Sequence, residues 1–152
     1  MNLRKLCVVF SLGLGVAMAD GVERTEPQLP TTDNRQLVEM PDEVQQLMRE
    51  HMRDHLLALS EILGYLADSD FSSAADVAEQ RLGESSIGRH RAAGMGPGRY
   101  MPLPMRQIGR GMHEAATKFA GIANTGNREE SYAALQEVVA LCAACHTSYR
   151  IR

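Results

Sequence analysis

The chain has 152 residues with 16 basic and 19 acidic side chains, no Trp, and only seven Phe and Tyr together. Its net charge of −3 is spread rather than gathered into a basic stripe, which argues against nucleic acid as a partner. The apolar mass comes from Ala, Leu, Val and Met, a composition that suits close-packed helices.

At the N-terminus Arg4 and Lys5 precede an apolar run over residues 6–18, and Ala17-Met18-Ala19 offers a small-x-small cleavage site. This pattern predicts a secretory signal peptide over 1–19, cut before Asp20. The run is shorter than the roughly 20 apolar residues of a membrane-spanning helix, so no membrane anchor is expected after cleavage. Cleavage would leave 14 basic against 19 acidic side chains, a net charge of −5, on a length that fits one domain. Cys7 would leave with the signal peptide.

Residues 20–40 contain Pro27, Pro30, Thr31, Thr32 and Asp33 without periodicity and read as an exposed N-terminal arm. A first helix is predicted from Pro41 or Asp42 to about Ala67. Its stripe is Val44, Leu47, Met48, Met52, Leu56, Leu59, Ile62, Leu63 and Leu66. Asp68-Ser69-Asp70 breaks it, and a second helix capped by Ser72 or Ser73 runs through Ala74, Ala75, Ala78 and Leu82 to Gly83. Residues 83–104, rich in Gly and Pro, read as a long loop of the kind that often carries function. A third helix is predicted over about 105–123, with Met105, Ile108, Met112, Ala116 and Phe119 on its apolar side. The fourth, over about 128–149, stacks Leu135, Val138, Val139, Cys142, Cys145 and Tyr149. No segment alternates with period two, so the expected fold class is all-α, an antiparallel four-helix bundle over 41–152.

The last helix ends in Cys142-Ala-Ala-Cys145-His146, two thiols and an imidazole at the spacing of a c-type haem attachment site. Each thiol would add across one haem vinyl group, and His146 would bind the iron. A helix presents positions i, i+3 and i+4 on one face, which explains the spacing. Three other readings are weaker. A thioredoxin-like dithiol normally opens a helix after a strand; a zinc site needs further ligands; a disulfide across so small a loop constrains little. Export agrees with covalent haem, which bacteria attach outside the cytoplasm. The expected location is therefore the periplasm of a bacterium.

The ending Cys142-Ala-Ala-Cys145-His146-Thr-Ser-Tyr149-Arg150 resembles the Cys-x-x-Cys-His-x-x-Tyr-Arg ending of the class II cytochromes c, the cytochrome c′ family. A softer similarity lies in His55-Leu-Leu-Ala-Leu-Ser-Glu-Ile-Leu63 and Asp70-Phe-Ser-Ser-Ala-Ala75, which look like that family's first helix and following turn. The stretch 83–104, with His90 and Tyr100-Met101-Pro102, departs from the family pattern. The resemblance implies one covalent haem c and redox partner proteins. A homodimer joins these expectations, since family members often pair through their first helices. Arg150, one turn beyond His146, is a candidate for holding a haem propionate or tuning the imidazole.

Only six residues follow His146 and none is Met, so a sixth ligand must come from upstream. Met48, His51, Met52 and His55 lie within two turns of the first helix. At about 100° per residue, Met48 falls about 40° from Met52, His55 about 60° and His51 about 100°, which turns both Met inward. Counting back from Asp70-Phe71, the distal position of the resembling family falls on or beside Met52. Its low-spin members use a first-helix Met there, whereas cytochromes c′ proper have an apolar residue and an open site. Met52 is the first candidate and Met48 the second, while core filling is the ordinary fate of Met on such a stripe. Two functions follow: electron transfer with six-coordinate haem, or binding of NO or CO at an open iron. A helical metal-binding module without haem is a third. No nucleophile–base pair or paired carboxylates stand out, so no enzymatic activity is expected.

Overall fold

The computed structural model describes residues 33–88 and 96–152, which places the expected signal peptide and His90 outside the described residues. Four α-helices dominate: α1 (Asp42–Ala67), α2 (Phe71–Arg81), α3 (Leu103–Ala123) and α4 (Arg128–Ser148). Two short strands, β1 (Gln36–Val38) and β2 (Tyr149–Ile151), pair in parallel.

Helix α1 starts where Pro41 fixes an extended backbone and Asp42 and Glu43 meet the positive end of the helix dipole. Gln45 reinforces this start, its Nε2 donating to the carbonyl of Met40 at 2.9 Å. The helix stops at Ser69, which turns to φ 62°, and Arg128 donates to the Ser69 hydroxyl from the start of α4. The cap of α2 is Asp70 rather than Ser72 or Ser73. Its carboxylate accepts from the Ser73 amide at 3.0 Å, so Ser73 is the donor three residues into the motif. Hydrogen bonding from the Ser73 hydroxyl and then from its amide holds the Asp70 carboxyl below its ordinary pKa. Helix α3 begins two residues earlier than expected, because Pro104 occupies an early helical position where a missing N–H costs nothing. Asn127 caps α4 through the Glu130 amide, after Gly126 adopts φ 76°.

Neighbouring helices in sequence pack on one another, α1 on α2, α2 on α3 and α3 on α4. All four feed one core: Ala58, Ile62 and Leu66 from α1, Ala74, Ala75 and Ala78 from α2, Met112, Ala116 and Phe119 from α3, and Ala134, Leu135 and Val138 from α4. The small alanines let backbones approach, and Phe119, fully buried, fills the space between them.

A second, smaller cluster has a different composition. Val38, Met40, Val44, Met48 and Met105 form its buried centre, and Met52, Tyr100, Met101, Cys145, Tyr149 and Ile151 pack around it. The expected exposed arm over 20–40 therefore differs at its end, where Val38 and Met40 are buried and residues 36–38 are strand. Tyr149 likewise leaves the helix, its φ of −129° and ψ of 151° starting β2. The pairing sets Gln36 beside Tyr149, Leu37 beside Arg150 and Val38 beside Ile151.

Candidate haem-attachment site

Cys142 and Cys145 are free thiols, both half-buried, on the last two turns of α4. They belong to different surroundings: Cys142 packs against the four-helix core, and Cys145 against the methionine-rich cluster. Burial raises the pKa of both thiols, and the proximity of Cys142 adds to the rise at Cys145. A nucleophilic redox dithiol depends on the opposite shift, towards a thiolate at neutral pH. These are neutral thiols in apolar surroundings, which suits bonding to an apolar ring.

His146 follows on the same helix and is exposed. Its backbone carbonyl accepts a hydrogen bond from the Arg35 guanidinium at 3.3 Å, and the Cys145 carbonyl accepts from the Tyr149 amide. The segment before β1 thus reaches the end of the Cys-x-x-Cys-His motif. Arg150 lies beyond the end of α4. It stands on β2 between Tyr149 and Ile151, which both face the methionine-rich cluster. Successive strand residues face opposite sides, so Arg150 is turned from that cluster.

On α1 the two methionine candidates separate. Met48 is 8 % exposed and belongs to the buried centre of the second cluster, whereas Met52 is half-buried at the margin of the same cluster, with Cys145 and Tyr149. Sequence and packing therefore bring Met52 and one candidate thiol to one apolar cluster. His55 takes another direction. Its ring stands edge-on to His113 of α3, centroids 6.2 Å apart, and its pKa is lowered to about 4. Burial is the largest cause, followed by the charges of His113 and His51. His113 is half-buried, with Nδ1 at 2.7 Å from the Leu82 carbonyl.

Several expected core positions lie outside. Leu56 is 69 % exposed, Leu63 51 % and Val139 44 %. Leu56 and Leu63 fall within about 40° of Met52 around α1, and Val139 and Tyr132 within about 40° of His146 around α4. Both helices thus leave apolar side chains exposed on the same faces as the candidate iron ligands.

Sequence reasoning assigned no role to Tyr100 and Met101, nor to Val38 and Met40. All four join the cluster around Cys145. Residues 36–39 and 100–102 also line an open cleft of about 540 Å³. Two signals were available, the alternation of Val38 with Met40 and of Tyr149 with Ile151, each too short to read as period two. Compared with family models, curated proteins and solved structures, the chain gives no match.

Proposed function

We propose that this chain is a c-type cytochrome of the class II kind. It would carry one haem c bonded to Cys142 and Cys145, with His146 as proximal ligand, and would transfer electrons in a bacterial periplasm after loss of residues 1–19. The observation that carries the reading is the pair of free, half-buried thiols beside His146, with Met52 of α1 in the apolar cluster that holds Cys145. Haem, when bound, supplies a one-electron iron couple, and Met ligation raises its potential. Cys142 and Cys145 would keep the group from being lost, His146 would orient it, and Met52 would offer a thioether from α1. The second cluster would set apolar side chains beside the group.

The architecture we infer is an antiparallel four-helix bundle. Its support is the short connections, Asp68–Asp70 between α1 and α2 and residues 124–127 between α3 and α4, which bring consecutive helices back alongside each other. Redox proteins are the expected partners, and a homodimer fits the exposed apolar positions on α1.

The test is absorption spectroscopy of protein made with the c-type maturation machinery. Low-spin features with a Met-to-iron charge-transfer band are expected. High-spin five-coordinate features would move the function to binding of NO or CO, and a chain with no Soret band would end the haem reading.

A further inference from the structure

A second group of imidazoles gathers away from the Cys-x-x-Cys-His motif. His51 and His55 lie one turn apart on α1, the spacing at which helical side chains meet. His113 enters from α3, its ring perpendicular to that of His55 at a centroid separation of 6.2 Å. Two imidazoles bound to one tetrahedral ion, with metal–nitrogen bonds of about 2.0–2.1 Å, place their centroids roughly 5–6 Å apart. The pair therefore stands close to chelating distance.

The surroundings of each ring suit a ligand. A carbonyl cannot donate, so the 2.7 Å contact between His113 Nδ1 and the Leu82 oxygen requires the hydrogen on Nδ1. In the neutral ring Nε2 is then the nitrogen that carries the lone pair. An imidazole held through its other nitrogen by a backbone carbonyl is the usual state of a metal-ligating His. Ser86, whose hydroxyl donates to the Gly83 carbonyl, lies 3.3 Å from the same Nδ1 and closes that side. His55 is neutral at neutral pH because its surroundings disfavour the charged form. Asp54 is committed to Arg81, whose Nη2 it meets at 2.5 Å, and that cation opposes a second positive charge nearby. A metal here would be held with modest affinity.

We propose that His55 and His113 form the core of a binding site for a divalent transition-metal ion of the imidazole-seeking class, such as Zn²⁺ or Cu²⁺. Among the described residues no three ligating side chains converge on one point, so His51 would join by a change of rotamer and water would complete the shell. The site is independent of the haem reading.

Titration of the full chain with Zn²⁺ alone, followed by calorimetry, tests it. Binding of one ion is expected, weakened roughly tenfold or more by His55→Ala and by His113→Ala. Binding that neither substitution weakens would overturn the proposal. Ring-nitrogen NMR of the unaltered protein covers the case in which either variant unfolds. Zn²⁺ should shift one nitrogen of His55 and Nε2 of His113, and ring signals that stay fixed at saturating Zn²⁺ would also overturn the site.

Discussion

Met48 and Met52, one turn apart on the same helix, have separate physical roles. Met48 is enclosed in its cluster, and its loss should behave as a core truncation of about 2–5 kcal/mol with little spectral change. Met52 lies at the margin of the cluster against which Cys145 also packs. Met52→Ala should convert low-spin haem to high-spin and admit CO to the reduced protein, as optical and CO-difference spectra would show. Low-spin haem persisting in that variant would move the ligand to another side chain. A prediction of a different kind follows from His55. In the unfolded chain its imidazole takes up a proton near pH 6.5, but in the fold it resists to about 4. Between those values the unfolded state binds more protons, so stability is greatest above about 6.5 and declines as pH falls towards 4. His55→Gln should flatten this decline in urea midpoints measured across the range. An unchanged slope would show that the titration lies elsewhere.

The elements most exposed to test are the two that periodicity could not reveal. β1 and β2 are three residues each and lie more than a hundred positions apart, so no local pattern predicts their pairing. They also join the start of the described chain to the residues just after His146. Val38 is 4 % exposed within this tie. Val38→Asp would bury an unpartnered carboxylate and should destabilise the fold by at least about 2 kcal/mol, read from thermal melts. The Cys145 end should loosen first, visible as faster amide exchange at Tyr149 and Ile151. The helices were far more legible. The first helix was expected from Pro41 or Asp42 and the fourth from about 128, and α1 and α4 begin at Asp42 and Arg128. Asn127→Ala should cost about 1 kcal/mol, since its side chain caps the Glu130 amide. Legibility failed where one stripe served two purposes. Leu56, Leu63 and Val139 have the period of core residues and yet stand exposed, because helical spacing identifies an apolar face but not what covers it.

At the scale of the molecule, the described residues divide their apolar side chains between an alanine-rich core and a methionine-rich cluster. The first specifies how the helices pack. Phe119→Ala should cost about 3–5 kcal/mol, because the alanines around it cannot close the space. The second gathers an end of α1, the start of α3, the loop residues Tyr100 and Met101, both strands and Cys145. The candidate thiols stand one in each region, so the Cys-x-x-Cys-His spacing was readable from sequence while its surroundings depended on the tertiary fold. The central claim is that both thiols are committed to haem. The most direct measurement is acid–acetone extraction of protein produced with the c-type maturation machinery, followed by the haem spectrum of the protein fraction. Haem should remain with the unaltered chain and be weakened or lost in Cys142→Ala and Cys145→Ala. A native chain recovered without haem, its thiols free or holding zinc, would contradict the account.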